Sequence, residues 1–98
     1  DGLIAGATTD AIGVSLNAAI TLRDGLIQQT DFSTYNVSAG AQTPRELIVE
    51  RIDSTEPPVP VYSVATPSTA PALANAIFAA STVRIRKMPM LPELKRML

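Results

Sequence analysis

The sequence predicts an α+β fold in which two alanine-rich helices accompany a β-hairpin and short strands. Three features predict it: an apolar run rich in alanine near the C-terminus, an Asp-Gly pair between apolar residues, and two short runs of alternating polarity. Hydrophobic residues make up 46% of the 98 residues and aromatic residues only 4%, so Ala, Leu, Ile and Val must supply the core. This composition is typical of a folded chain.

The second alanine-rich helix is predicted over about 70–82. Pro71 suits the first turn of a helix, where its missing N–H has no intrahelical acceptor, and Ser68 and Thr69 precede it as candidate N-caps. As far as position 80 its residues are apolar except for Asn75. A helix apolar on nearly every face needs neighbours on several sides, and so short a chain provides few. We therefore expect the chain to be part of a larger domain.

The first half of the chain predicts a helix followed by a hairpin. An apolar stripe through Ile12 and Leu16 indicates a helix over about 3–19. Asp24-Gly25 is a strong two-residue turn signal, and the apolar residues on either side of it predict a β-hairpin over about 19–29.

Alternating residues over about 46–52 and 83–86 predict two further short strands. Between them, five prolines from Pro57 to Pro71 argue against a helix or a central strand, so a long irregular loop is expected. Residues 91–98 are expected to form a terminal helical turn or two.

The composition excludes several kinds of chemistry for this chain. It contains no Cys and no His, which removes disulfides, thiolate metal sites and Ser-His-Asp or Cys-His catalysis. The net charge is −1, with a basic cluster in the last fifteen residues: Arg84, Arg86, Lys87, Lys95 and Arg96. A nucleic-acid patch is one interpretation, but the tail has no aromatic residue to stack on a base. A solvated edge, or ion pairs with a partner subunit, is the favoured interpretation.

Other patterns are weaker still. No apolar run approaches the ~20 residues of a membrane span, so none is predicted. The sequence begins at Asp1 without Met, from which we expect a chain that is processed, truncated or incompletely described, and its compartment stays open. Asp53 and Glu56 could act as an acid–base pair or bind a hard cation, although an exposed loop pair is the simpler interpretation. Neither Tyr62 nor Ser63 has a base near it in sequence, and the glycines form no phosphate-binding loop.

Three segments together resemble one family of enzymes. Asp1-Gly2 precedes a small-residue helix; ITLRDGLIQQTDFSTYNV follows; and STEPP, ATPSTAPALANAIFAAS and RIRKMP close the chain. They resemble the C-terminal part of the molybdenum-binding subunit of molybdenum hydroxylases, the xanthine dehydrogenase and aldehyde oxidase superfamily. The isoquinoline 1-oxidoreductase β-subunit group is the nearest in pattern, and APALANAIFAA is the most specific segment. In the middle segment the recurrent family positions are Asp24, Gly25, Gln29, Phe32, Tyr35 and Val37.

The resemblance implies a role within a larger assembly. The family's large subunit binds molybdopterin, often as its cytosine dinucleotide, and hydroxylates aldehydes or N-heterocycles, while electrons leave through iron–sulfur clusters on a partner chain. Residues 1–98 would then be the C-terminal part of a molybdopterin-binding domain and not a complete domain. The implied partners are the remainder of the molybdenum subunit and the iron–sulfur chain, and this chain alone would bind no cofactor.

The expected cofactor loop departs from the family pattern. The family's base is a glutamate in a Gly-Gly-Val-Gly-Glu-Pro loop, and the flanking matches place Ser63 at the glutamate position. By the same resemblance, the residues near the cofactor are Val59, Pro60, Tyr62, Val64 and Ala65. A Ser hydroxyl does not accept a proton near neutral pH, and Val, Pro and Tyr fill the space that glycines leave open. The polar family residues after Tyr35 are also replaced, by the run 38–41.

These departures predict a structural contribution without catalysis. The favoured hypothesis is a segment of a molybdenum-cofactor-dependent oxidoreductase that is inactive as an isolated chain. The alternative is a stand-alone, degenerate remnant that acts as a small folding or binding module.

Overall fold

Three α-helices and one antiparallel hairpin form the part of the chain that a computed structural model describes, residues 2–37 and 40–98 without the side chains of Ala41 and Tyr62. The predicted α+β class is confirmed, and the fold is mostly helical. In chain order the elements are α1 (Gly2–Asn17), β1 (Leu22–Arg23), β2 (Leu26–Ile27), a 3-10 turn (Gly40–Gln42), α2 (Val61–Ser81) and α3 (Met90–Met97).

Helix α1 confirms the first predicted helix, with its end two residues earlier than expected. Its buried face includes small residues four apart, Ala7, Ala11 and Ser15, beside the larger Ile12 and Leu16. The Ser15 hydroxyl is satisfied within the helix, since Oγ donates to the Ala11 carbonyl at 2.7 Å. Small side chains let a second helix approach closely, and α1 packs mainly against α2.

The core lies where α1, α2, α3 and the α2–α3 linker meet. Its buried residues are Ile12 and Leu16 of α1, Ile85 of the linker and Met90 at the start of α3. Half-buried apolar residues pack around them: Ala70, Leu73, Ala74, Ile77, Val83, Leu91 and Leu94. This is a small core for three helices, and it lies towards the C-terminal ends of α1 and α2.

The hairpin prediction is confirmed by the backbone. Leu22 pairs with Ile27 and Arg23 with Leu26, so that Asp24-Gly25 forms the two-residue turn. Asp24 has φ 52° and Gly25 φ 77°, the pair of positive values that a type I′ turn requires. All four strand residues are exposed, so the described part of the chain covers neither face of the hairpin.

Helix α2 begins nine residues before the predicted start at position 70, which corrects the expectation of an irregular loop up to Pro71. Pro60 is the N-cap residue, and Pro67 and Pro71 lie inside the helix. A proline removes one backbone hydrogen bond but does not prevent a helix when packing supports it. Ser68 and Thr69, which we predicted as N-caps, lie mid-helix instead.

Neither of the two extra strands forms, so that part of the prediction is wrong. Residues 46–52 carry no strand, because no other segment among the described residues pairs with them, and Ile52 is 94% exposed. Residues 83–86 lie in the linker between α2 and α3, without helix or strand. Their alternation reflects burial of Ile85 in the core rather than membership of a sheet. The predicted terminal helix is confirmed as α3, which follows a cis Met88–Pro89 peptide bond.

The chain exposes more surface than its mass predicts. Its accessible surface is 7555 Å², whereas a folded monomer of 10.3 kDa is expected to expose about 5,400 Å². The radius of gyration is 15.7 Å, against about 12.6 Å expected for 98 residues. The surplus of about 2,200 Å² comes largely from the hairpin, the segment of residues 44–60 and the exposed part of α2, whereas most of α1 is buried or half-buried.

Candidate functional site

The residues predicted as a cofactor loop instead begin a helix. Val59 and Pro60 lie before α2, and positions 61–65 form its first turns. Pro60 has φ −62° and ψ 121° and makes no side-chain cap hydrogen bond. Ser63, at the expected base position, is exposed on the first turn, where backbone N–H groups have no partner within a helix. The side chain of Tyr62 lies outside the described residues, as do Asp1, Ser38 and Ala39.

A groove of about 720 Å³ lies between α1 and α2, along roughly the first three quarters of each helix. Its wall from α1 consists of Ile4, Thr8 and Ile12, which are four residues apart. The wall from α2 and the residues before it consists of Val59, Val61, Val64, Ala65, Ser68, Thr69, Ala72, Leu73 and Ala76. We call these twelve residues the α1–α2 groove.

The α1–α2 groove gathers part of the predicted site and leaves the rest outside. Val59, Val64 and Ala65 line it. Pro60 and Ser63 do not line it, because the helical rotation of 100° per residue directs Ser63 away from the face shared by Val61 and Ala65. Ser63, the residue expected at the position of the family's base, therefore lies outside the groove that its neighbours Val64 and Ala65 line.

The groove is chemically apolar. Among its described lining residues the polar groups are the hydroxyls of Thr8, Ser68 and Thr69, and none carries a charge. Ser68 Oγ donates to the carbonyls of Ala65 at 3.1 Å and Val64 at 3.4 Å, and Thr69 Oγ1 donates to Ala65 at 2.8 Å. These two hydroxyl protons are thus already used within α2.

Such a lining does not fit a molybdopterin group. That cofactor carries a phosphate and a polar pterin, so a site for it must provide cations or several N–H and hydroxyl donors. The groove provides no cation, and two of its three hydroxyls donate to backbone carbonyls. In the described part of the chain, no three Asp, Glu, Cys or His side chains group together as a metal site would require.

The carboxylates considered for acid–base chemistry lie in the exposed segment before α2. Asp53 and Glu56 are both exposed, and the local order there is a turn in which the Glu56 N–H donates to Ser54 Oγ at 3.1 Å. Because both carboxylates face solvent, the segment has the geometry of a polar surface rather than of an active site.

Two residues of the basic tail are engaged within the chain. The Arg84 guanidinium lies over the Phe78 ring, 4.0 Å from its centroid, and Nη1 donates to Asn75 Oδ1 at 3.0 Å. Arg96 forms an ion pair with Glu93 one turn earlier on α3. The hydrogen bond from Arg96 lowers the pKa of Glu93, and Glu93 in turn raises the pKa of Arg96. These contacts favour the structural interpretation of the tail over a nucleic-acid patch.

The turn after the hairpin is a polar feature with several side-chain hydrogen bonds, and sequence reasoning missed it. Asp31 Oδ1 accepts hydrogen bonds from Ser33 Oγ at 2.6 Å, the Ser33 N–H at 3.1 Å and the Thr34 N–H at 3.1 Å. The hydrogen bond from the Ser33 hydroxyl, followed by those from Thr34, lowers the pKa of Asp31. The signal was an aspartate with hydroxyl residues two and three positions later.

Comparisons with protein-family models, with curated proteins and with solved structures find no match to this chain. Within the described ranges, none of the helices has the length and apolar character needed to cross a bilayer.

Proposed function

We propose that this chain is a non-catalytic, structural segment of a molybdenum-hydroxylase-like oxidoreductase subunit. In that role it covers and completes a domain whose cofactor is held by the remainder of the subunit. The main observation in favour of a structural role in a larger assembly is the surplus of about 2,200 Å² of accessible surface. The sequence resemblance is the reason for proposing this class of enzyme.

The surplus surface has the size of a permanent interface. Standard complexes bury about 800 Å² per partner, and obligate assemblies about 1,000–2,500 Å² per partner. A surplus of about 2,200 Å² is therefore large enough to form one obligate interface.

The exposed side chains include large apolar residues of the kind that protein interfaces usually bury. Phe32 is 88% exposed, Ile52 94% and Ile48 75%, and Leu26 in the hairpin is 72% exposed. Large apolar residues exposed over several elements mark surfaces that associate with other protein. These residues come from the hairpin, the turn after it and the segment before α2, so the proposed interface extends along most of the chain.

Helix α2 supports the same proposal through its lack of charge. Its 21 residues include no Asp, Glu, Lys or Arg, although most of them are exposed in the isolated chain. A surface helix of a complete globular protein carries charged residues on its outer face. An uncharged helix is typical of a position enclosed by protein on several sides.

Catalysis is not expected from this chain itself. Ser63 stands at the expected base position, and a Ser hydroxyl does not act as a proton acceptor near neutral pH. The groove beside it lacks the cations and donors that molybdopterin needs. When bound elsewhere in the subunit, the cofactor would supply the oxidising centre, and this chain would supply packing and exclusion of water.

Native mass spectrometry with molybdenum analysis, on tagged protein purified from its own cells, tests the proposal. We expect a complex containing a larger polypeptide and molybdenum, with no hydroxylase activity in the separated chain. A metal-free species of 10.3 kDa, alone or self-associated, would contradict the proposal. That result would favour the alternative, a stand-alone remnant acting as a folding or binding module.

A further inference from the structure

We infer that α3 is an oxidation-sensitive element, which a hydroperoxide releases from the core by converting the buried thioether of Met90 to a sulfoxide. The inference goes beyond the proposed function and does not depend on it, because it uses only contacts within this chain. It adds a chemical event to which the fold responds and names the element that moves.

Sulfur is confined to one short stretch of the chain. There is no Cys, and the three methionines, Met88, Met90 and Met97, all lie within the last eleven residues. Two of them belong to α3, and Met88 lies two residues before it. Peroxides attack thiols and thioethers readily, so their action on this chain is concentrated at α3.

The three methionines differ in how far they are exposed. Met88 is 50% exposed and Met97 44%, whereas Met90 is 3% exposed and belongs to the core. A sulfoxide at Met88 or Met97 keeps its oxygen in water, so oxidation at those two positions should leave the fold unchanged. A sulfoxide at Met90 has no such access while α3 stays packed. The structural effect of oxidation therefore depends on Met90.

The core around Met90 is unsuited to a polar oxygen. Its other buried members are two residues of α1 and Ile85 of the linker, and all three side chains are hydrocarbons. Among the described residues the one buried polar side chain is Ser15, whose hydroxyl already donates to the Ala11 carbonyl at 2.7 Å. A sulfoxide oxygen in this core would find no free buried side-chain donor, which destabilises the packed position of α3.

Met90 becomes accessible when α3 separates from the core. Helix α3 has eight residues, and a helix of that length is not stable in water without tertiary packing. It also packs against α1 less extensively than α2 does, so opening of α3 costs less free energy than separation of the two long helices. Oxidation of the open form then traps α3 outside the core, because the sulfoxide opposes its return.

The chemical step is a two-electron oxidation of sulfur. The thioether attacks one oxygen of hydrogen peroxide, the O–O bond breaks, an S–O bond forms, and the peroxide is reduced to water. Methionine sulfoxide reductases carry out the reverse change, in which a dithiol is oxidised to a disulfide and the sulfoxide oxygen leaves as water. The release of α3 is therefore chemically reversible.

Two complementary variants of the full chain test the inference. The double variant Met88→Leu, Met97→Leu retains Met90 as its one methionine, and Met90→Leu retains the two exposed methionines. Leucine nearly conserves the apolar volume in each case. Each variant is treated with hydrogen peroxide, peptide mapping by mass spectrometry locates the added oxygen, and amide hydrogen exchange measures the protection of α1, α2 and α3.

We expect opposite results from the two variants. In the double variant, Met90 should be oxidised at least about tenfold more slowly than Met88 and Met97 are in the other chain, since it reacts only when α3 opens. The oxidised molecules should lose the protection of α3 and retain that of α1 and α2. In Met90→Leu, α3 should stay protected after both exposed methionines have been oxidised.

Three results would overturn the inference. They are unchanged protection of α3 in molecules whose Met90 is a sulfoxide, equal loss of that protection in oxidised Met90→Leu, and simultaneous loss of protection in all three helices. A second measurement needs no oxidant. Met90→Gln places a polar group of similar length in the core and should lower the protection of α3 by about tenfold or more, whereas Met97→Gln should leave it nearly unchanged. Equal effects of the two glutamine variants would also contradict the inference.

Discussion

Arg84 and Phe78 form a cation–π pair that attaches the α2–α3 linker to α2, with the guanidinium carbon 4.0 Å from the ring centroid. The same guanidinium donates to Asn75 one turn earlier at 3.0 Å, so the linker is held on the helix by two contacts. This arrangement aligns Ile85, the next residue, with the core. A residue predicted as part of a basic surface thus has a role in tertiary structure.

Removing this pair should destabilise the chain by a measurable amount. In a double-mutant cycle with Arg84→Met and Phe78→Leu, we expect a coupling of about 0.5–1 kcal/mol in urea unfolding. Arg86→Met, at an exposed position two residues later, is the control and should show no coupling to Phe78→Leu. Additive effects of the Arg84 and Phe78 changes would show that the contact contributes nothing to stability.

Thr82 ends α2 in a left-handed conformation, with φ 61° and ψ 5°. A β-branched residue is strained there, so Thr82→Gly should raise the free energy of unfolding by about 1 kcal/mol. The same change in the helix interior, Thr66→Gly, should lower it by about 0.3–0.4 kcal/mol, because glycine disfavours a helix somewhat more than threonine does. Thermal unfolding monitored by circular dichroism gives the sign of the change in the free energy of unfolding for both variants. A destabilising effect of Thr82→Gly would contradict the assignment of backbone strain to Thr82.

The hairpin turn provides a paired test with alanine. Gly25 has φ 77°, and nothing lies within 4 Å of the position of an added Cβ, so Gly25→Ala introduces backbone strain alone. We expect a loss of about 1 kcal/mol in the free energy of unfolding. Gly6→Ala, equally open but inside α1, should add about 0.5–1 kcal/mol. Two effects of the same sign would be inconsistent with a type I′ turn.

The turn around Asp31 should respond to acid. The pKa of Asp31 is lowered in the folded chain, so its hydrogen bonds contribute stability above the unfolded pKa of about 3.9. That contribution is lost as the pH falls from about 4 through the lower, folded pKa. Carboxyl chemical shifts in an NMR titration should show Asp31 titrating below about 3.9, the usual pKa of an aspartate.

An Asp31→Asn variant tests whether the Asp31 carboxylate causes the acid response of the turn. Asparagine retains an oxygen acceptor for Ser33 and Thr34 but does not titrate, so amide shifts of residues 33 and 34 should lose their acid-induced change. Persistence of that change would assign it to another carboxylate.

A glutamate at the expected base position should stabilise the helix without creating an enzyme. Ser63 lies on the exposed first turn of α2, where a negative charge interacts favourably with the helix dipole, so Ser63→Glu should add about 0.3–1 kcal/mol. Ser63→Lys is the control and should be destabilising. Because the adjacent groove does not fit molybdopterin, we expect no hydroxylation of aldehydes by the isolated variant. Turnover would show that the loop alone assembles a site.

Local residue preferences predict some elements of the fold, whereas other elements depend on tertiary packing. Asp24-Gly25 determines its turn through the φ values of two residues, so the hairpin could be predicted without its surroundings. The start of α2 could not, because the rule against internal proline is local, whereas packing against α1 extends over the whole helix. Likewise, Ile85 alternates with its neighbours as a strand residue would, but only the tertiary structure shows that no partner strand is present.

The candidate site had a signal that the proline pattern obscured. Val61, Val64, Ala65, Ser68 and Ala72 recur every three or four residues, which is the periodicity of one helix face. Applied to residues 59–65, that periodicity would have placed Ser63 on the other side from Val61 and Ala65. The apolar groove itself could not be predicted from this segment alone, because its other wall is α1, which lies some fifty residues away in sequence.

The segment of residues 44–60, exposed over most of its length and without helix or strand, has a consequence for how the two main helices stay together. It acts as a covalent tether that maintains α1 at a local concentration on the order of millimolar around α2. A protease that cleaves it would leave two fragments joined by side-chain packing alone, and their association would then depend on dilution. The integrity of this segment therefore determines whether the helix pair behaves as one molecule or as two exchanging ones.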